Sequence, residues 1–383
     1  MKKYLFLIAV MLFLSRFSNA QSDSIQLSGT LKGLGNNKVW ISYTDAKGKS
    51  QYAGAEGNAD HFSLHLAAGQ TPLAARLMIS WPKDPEAKPS MPSPPLNFFI
   101  GNKDLRAEGD AHVLSVARVT GDAENNAYAA LIQQTAKGEA RYQELLNRLS
   151  QKMSTADSLK MHEEIRQIFK DSMAAQKKFI NSHPDLFASV FLLSRMANMY
   201  TADQYQSAWN ALSGKYKDTP QGGSITATLQ KLAPTMAGTP VFTFERTDKE
   251  GNKVSPDLLK GKDYLLDFWG SWCGPCRASH PHLKELYRKY HAKGFEIIAI
   301  AQERGKTLDL SKASWLKAIQ EDQINWLHVL NQDGIEKQDL VKTFHVNAFP
   351  TKILVGQDGK ILLRVTASAT DDIDKALAKI YGF

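Results

Sequence analysis

Both cysteines of this chain fall within four residues, Cys273-Gly274-Pro275-Cys276, directly after an apolar run that ends Asp267-Phe268-Trp269. That arrangement constrains the fold more than any other feature. The apolar run predicts a buried strand over 264–269, and the cysteines then open a helix. At a helix start the N–H groups lack partners and the positive end of the dipole favours an anion. A thiolate is the reactive form of cysteine, so Cys273 sits where its pKa is lowered. Cys276, one turn later on the same face, can attack a mixed disulfide and release its partner. Pro275 suits an early helical position, where no N–H donor is needed.

The same two residues argue against a structural disulfide. A bridge across two intervening residues closes a tiny loop and constrains the unfolded chain little. Exported proteins that use cysteine structurally scatter several as staples. Export itself is predicted from the first twenty residues. Lys2 and Lys3 precede an apolar run over 4–14, and Ser18-Asn19-Ala20 supplies small residues for cleavage near Ala20. The run is shorter than the ~20 residues that span a bilayer. An uncleaved anchor helix is the alternative, and Arg16 and Asn19 directly after the run disfavour it. No cysteine follows the cleavage site, so a lipid-anchored form is not expected. The expected mature protein begins near Gln21, lies in the periplasm and keeps no stable membrane insertion.

A net charge of +8 over 383 residues is mild. No cluster of Lys and Arg with interleaved aromatics stands out, so nucleic acid is not an expected partner. Hydrophobic residues at 43% supply real cores.

The chain reads as multidomain α+β. Residues 21–121 form an expected β-sandwich-like antiparallel module, with strand-like runs over 25–31, 38–43, 61–67, 73–80, 96–100 and 113–119. Six prolines between Trp81 and Leu96 mark a loop there. Residues 122–235 form a helical region, with apolar spacing of three and four over 124–150, 156–179, 186–199 and 202–212. Residues 236–383 alternate strand and helix and end in a hairpin and a helix. The expected strands are 264–269, 295–301, 327–330, 352–355 and 361–365. The expected helices are 273–292, 310–321, 336–344 and 371–380, a pattern of βαβ units with a mixed sheet.

Trp272-Cys273-Gly274-Pro275-Cys276 after a strand ending Asp-Phe-Trp resembles a thioredoxin-fold active site. The resemblance implies that Asp267 is the buried acid that helps deprotonate Cys276. It makes Pro281 the proline that kinks the active-site helix, and Phe349-Pro350-Thr351 the cis-proline loop facing the disulfide. The lead-in segments over 239–244, 248–253 and 259–262 are similar to the opening of TlpA/ResA-like exported oxidoreductases, a likeness covering about 236–383. The preceding β and helical parts look similar to N-terminal extensions of uncharacterised function on such proteins in Gram-negative bacteria. Two positions depart from the pattern. Ser279 stands where several cytochrome-maturation members carry glutamate. Ile300 stands where thioredoxins place a lysine near the buried acid, leaving Asp267, water or Glu303 to manage the Cys276 proton.

The resemblance thus implies a thiol:disulfide oxidoreductase with Cys273, Cys276 and Asp267 as catalytic residues. Trp272, Gly274, Pro275, Phe349 and Pro350 form the implied substrate-binding set. No dissociable cofactor and no metal is called for. Partners are thiol or disulfide proteins and an upstream electron donor. Gly-Pro between the cysteines favours a reducing poise by family analogy, although the surrounding field can override it. Three other readings stand beside this one. A thiol peroxidase shares the lead-in, but the adjacent pair suits disulfide exchange better. Cys273 and Cys276 with His280 and His282 offer zinc or copper ligands, although a helix aims those two histidines in different directions. A redox-linked binding protein would hold a ligand or partner in its N-terminal region. Trp269 and Trp272 also have a plain reading as core and rim packing.

Overall fold

The computed structural model describes residues 24–45, 47–81, 93–151, 153–366 and 371–382. The expected signal over 1–20 and most of the proline-rich loop lie outside them.

Among the described residues, eight strands come first: β1 (Ser24–Lys32), β2 (Lys38–Thr44), β3 (Ser50–Glu56), β4 (His61–Ala67), β5 (Leu73–Ser80), β6 (Leu96–Ile100), β7 (Leu105–Asp110) and β8 (Arg118–Thr120). They form two four-stranded sheets, β4-β1-β7-β8 and β3-β2-β5-β6. One core fills the space between them, with Leu27, Leu31 and Leu105 from the first sheet meeting Val39, Ile41, Leu77 and Phe98 from the second. Strict in-out alternation along β1 and β4 turns one face of that sheet inward. All pairings are antiparallel except β1 with β7. The segment expected as a strand over 113–119 is instead a 3-10 turn, Ala111–Val116, followed by the short β8. Asp110 caps that turn by accepting from the His112 N–H, and β7 takes the expected strand's place in the sheet.

Five helices follow: α1 (Ala123–Leu149), α2 (Thr155–Ser182), α3 (Phe187–Arg195), α4 (Ala202–Ala211) and α5 (Pro220–Leu232). Asn125 ties α1 to the sandwich by bonding both the N–H (2.9 Å) and the C=O (2.8 Å) of Phe99. α3 is buried from Phe187 through Leu193, so its first N–H groups cannot turn to water. Its N-cap residue, Leu186, has no capping side chain. Glu124, from α1, does the capping across the fold, accepting from Phe187 N and Ala188 N at 3.0 Å each.

The remaining elements are β9 (Arg246–Thr247), β10 (Lys253–Val254), β11 (Tyr264–Trp269), α6 (Gly274–Tyr290), β12 (Glu296–Ala301), α7 (Leu308–Asp322), β13 (Leu327–Leu330), α8 (Leu340–Thr343), β14 (Thr351–Val355), β15 (Ile361–Thr366) and α9 (Asp372–Tyr381). The expected helix over 336–344 contracts to the single turn α8, capped by Asp339. A five-stranded mixed sheet runs β13-β12-β11-β14-β15, with β11 central. β11 is parallel to β12 and antiparallel to β14. All six β11 residues are buried, and alternate ones feed two cores. Leu265 and Trp269 join a layer with α6, α7 and α9, whereas Tyr264, Leu266 and Phe268 join one with Phe244, Leu340 and Phe344. This is the mixed α/β sheet that the element order implied.

With β13 at the other side, β15 is one of the two edge strands of this sheet. The lead-in bonds to its start, Gly238 N–H to Ile361 O and Ile361 N–H to Thr239 O, at 2.8 Å each. Buried Arg364 on β15 donates to Thr235 Oγ1 (2.7 Å), Phe344 O (2.6 Å) and His345 O (3.0 Å), and α4 packs beside that strand.

Two stability predictions follow from buried groups. Removing the Glu124 carboxylate leaves two buried N–H groups without an acceptor, so Glu124→Ala costs about 2 kcal/mol. Urea unfolding at pH 7.5 reads this as a lower midpoint at unchanged slope. His328, on β13, is 1% exposed, stacks on Trp326 and has neither ring nitrogen hydrogen-bonded. Burial pushes its pKa down to about 3 from an ordinary 6.5. The folded state therefore resists a proton that the unfolded chain accepts, and stability falls as pH drops below about 6.5 towards 3. His328→Leu flattens that slope, and melting temperatures at pH 7.5 and 5 check it.

Candidate functional site

The site is assembled where β11 meets α6. Cys273 is the N-cap of α6 and is bonded to Cys276, with an S–S distance of 2.08 Å. The Cys276 N–H points at Cys273 Sγ at 3.3 Å, so an orphan N–H of the first turn faces the sulfur. Gly274 and Pro275 fill the first two helical positions, and no heavy atom lies within 4 Å of where a Cβ on Gly274 would be. The pair is almost closed to solvent, with Cys273 3% and Cys276 1% exposed.

The turn that delivers Cys273 is held from below. Glu303, just past β12, accepts from Ser271 N at 2.8 Å and Ser271 Oγ at 2.5 Å. Its carboxylate thereby holds that turn in place. Gly270 is required there by space. A Cβ would come within 2.6 Å of both Gln302 O and Trp272 Nε1, the two atoms that bond each other at 2.8 Å.

Trp272 stands at the rim, 36% exposed, with the Arg304 guanidinium 3.3 Å from its ring centroid. Its edge meets Phe349 at 5.6 Å. The Phe349–Pro350 peptide is cis, and Phe349 packs against the cluster that contains Cys273 and Cys276. The cis loop therefore adjoins the disulfide. Trp269 is fully buried among these residues, edge-on to His280 at 4.9 Å. Pro281 lies inside α6, where its missing N–H frees the Arg277 carbonyl.

Beneath the pair is a layer of charge in an apolar core. Asp267 is 1% exposed, and neither of its oxygens accepts a hydrogen bond. Directly across the ladder, in register, stands Lys352 of β14. Its Nζ lies 3.3 Å from Asp267 Oδ1, an ion pair without the alignment of a hydrogen bond. Lys352 also donates to Ser279 Oγ at 3.3 Å, and Ser279 Oγ donates to Cys276 O at 2.7 Å. Ile300 points the other way, into the opposite core. The lysine beside this acid thus comes from β14, where sequence reading missed it. A signal was present: Asp267 and Lys352 are the only charged residues in two wholly buried strands.

The two histidines of α6 part company. His280 is buried and hydrogen-bonds through Nδ1 to Asp322 at 2.8 Å. Burial pushes its pKa below the usual range, against the pull of Asp267 and Asp322. Burial raises Asp322, but the hydrogen bonds from Arg277 and His280 outweigh it and hold the carboxyl below its ordinary value. His282 is half-exposed and pairs with Asp374 at 2.8 Å. Among the described residues no group of three or more His, Cys, Asp or Glu is placed to hold a metal ion.

Comparison with known proteins agrees with this chemistry. The Redoxin family model matches residues 235–379. Thiol-disulfide oxidoreductase ResA of Bacillus thuringiensis subsp. konkukian (strain 97-27) is 33% identical over 138 residues, 36% of this chain and 74% of the relative. The ResA of Bacillus subtilis (strain 168) is 28% identical over 134 residues, 35% of this chain and 68% of the relative. Among solved structures, the thioredoxin domain of a thiol-disulfide oxidoreductase from Bacteroides vulgatus shares 32% identity, covering 38% of this chain and 97% of that one with a TM-score of 0.33. With a redox-ready cysteine pair at the head of α6 and relatives of this kind, the chain belongs to the TlpA/ResA-like thiol-disulfide oxidoreductases and is an enzyme of that class.

Proposed function

We propose that the chain works in the periplasm, exchanging disulfides with protein substrates after removal of a signal peptide near Ala20. Residues 236–383 would be the catalytic unit, with 21–121 and 122–235 as an extension. Cys273 is the attacking nucleophile and Cys276 the resolving thiol. Asp267 manages the Cys276 proton. Trp272, Gly274, Pro275, Phe349 and Pro350 form the surface that holds the substrate chain. The observation that carries this reading is the position of Cys273: N-cap of α6, with the cis Phe349–Pro350 loop beside it. A thiolate there is favoured by the helix end, and the first bond is made by the sulfur nearer that end. Each exchange moves two electrons between the Cys273/Cys276 pair and the substrate, so a partner thiol protein must supply or remove them to reset the pair. Among the described residues no helix is long and apolar enough to cross a membrane.

Single-cysteine variants test the roles. Cys276→Ser is expected to accumulate a covalent mixed disulfide with a protein substrate, seen as added mass that dithiothreitol removes. Cys273→Ser is expected to trap nothing and to lose exchange activity. Trapping by Cys273→Ser instead would reverse the assignment. The redox midpoint of the wild-type pair in thiol–disulfide buffers gives the direction: near about −270 mV for a reductase, near about −120 mV for an oxidant.

A further inference from the structure

A cation at the rim of the site has no acidic partner among the described residues. Arg304 follows β12 on a backbone that is held in place, because Gln332 donates to Glu303 O at 2.6 Å and accepts from Glu303 N at 3.2 Å. From there the Arg304 guanidinium lies over the face of the Trp272 indole, 3.3 Å from the ring centroid. The indole is fixed in turn by its bond to Gln302 O and by the edge of Phe349. Stacking uses the flat face of a guanidinium and leaves the N–H donors around its edge open to a further partner. No described residue accepts from those donors or pairs with that charge. Lys306, two residues on, is exposed and likewise has no ion-pair partner among the described residues.

The charges around this cation are one-sided. The segments that build the site, 270–278, 302–307 and 345–351, contain a single carboxylate, that of Glu303. It is buried and turned inward to Ser271. Arg277, the other arginine of these segments, is already matched by Asp322 and Glu321. The next carboxylate along the chain, Asp309, belongs to the first turn of α7. The rim thus shows Arg304 and Lys306 outward and no exposed carboxylate of its own segments.

We propose that Arg304 is a specificity-determining residue that reads a carboxylate side chain beside the cysteine of an incoming protein disulfide, so that the substrates of this chain are acidic around the exchanged cysteine. Trp272 directly precedes Cys273. A chain bonded to the Cys273 sulfur therefore reaches the guanidinium within a few residues, at about 3.3 Å per extended residue. A carboxylate there meets the guanidinium edge through two parallel N–H···O bonds. At an exposed rim such a pair acts on encounter and register more than on affinity, and salt weakens it.

The proposal rests on Cys273 as the attacking thiol. Its test uses the reduced full chain and three peptides of one length. Each peptide has a single cysteine, held as a disulfide with 2-mercaptoethanol and flanked on both sides by Glu, Gln or Lys. Complete exchange forms the Cys273–Cys276 bond, breaks the peptide disulfide and releases two thiols, so electrons and protons balance. Rates at pH 7.5 are divided by each peptide's own rate with dithiothreitol, which removes the effect of the flanking charges on the disulfide itself. The wild-type Glu-to-Lys ratio is expected to be about tenfold or more at low salt. It falls towards one in about 0.5 M NaCl, where charges are screened within ~4 Å. R304Q lowers the low-salt ratio to about threefold or less, and R304E inverts it. K103Q makes the same charge change at an exposed position between β6 and β7, and keeps the wild-type ratio. Each ratio is internal to one variant, so a poorly folded variant loses all three rates without moving it. A wild-type ratio near one overturns the proposal, as does an R304Q ratio equal to that of wild type. A K103Q ratio that falls as far as that of R304Q assigns the preference to net charge and overturns it too. A wild type that exchanges with none of the three peptides refutes the assignment of Cys273 itself, and this proposal falls with it.

Discussion

A single ladder position organises the catalytic end of this protein. Asp267 on β11 is paired in register with Lys352 on β14, and both face the layer that α6 covers. Shifting that register by one residue would send the lysine into the opposite core and leave a bare carboxylate under the disulfide. Such a state is costly, since breaking a buried pair strands a charge in apolar surroundings. The ion pair adds little net stability over a hydrophobic pair of similar size, so its presence in the core is better explained by register and chemistry than by stability.

The rim and the floor of the site are built by different physics. The floor is charge in an apolar layer. The rim is shape: Gly270 lets the Trp272 indole lie against Gln302 O, Glu303 draws the turn inward by accepting from Ser271, and Arg304 covers the indole from outside. A methyl group at Gly270 would collide with both atoms of that bond, so the turn is fixed by exclusion as much as by attraction. Bringing the sulfur to the head of α6 needs both layers at once.

Much of this was legible in the amino-acid sequence, because it depends on local pattern. β11 and β13 fall where continuous apolar runs lie, and α6 begins at the Cys-Gly-Pro-Cys turn. The elements that were missed carry weak local signals. β3 is Ser-Gln-Tyr-Ala-Gly-Ala-Glu, whose residues are too small and polar to declare a buried face. β7 is charged at Arg106, Glu108 and Asp110 and pairs with its neighbour β1, which is far away in sequence, a non-local contact. α5 opens with Gly222 and Gly223, poor helix formers, and depends on the Thr219 cap and Pro220. Lys352 escaped for a related reason. Its type and neighbours are plain, but its partner lies on a strand 85 residues earlier, and pairing over that separation is settled by the sheet rather than by local pattern. The Glu124 cap on α3 is equally non-local.

The contact between the helical region and β15 bears on how the protein behaves in solution. An edge strand offers unpaired N–H and C=O groups to any strand that arrives, and a second copy of the same chain is always at hand. Here the lead-in pairs with the start of that edge, α4 lies along it, and Arg364 fastens it to Thr235. The helical region thus covers part of the open side of the sheet that carries the disulfide at its centre. A chain shortened ahead of residue 236 would keep the lead-in pairing at Ile361 but lose α4 and the Thr235 partner of Arg364.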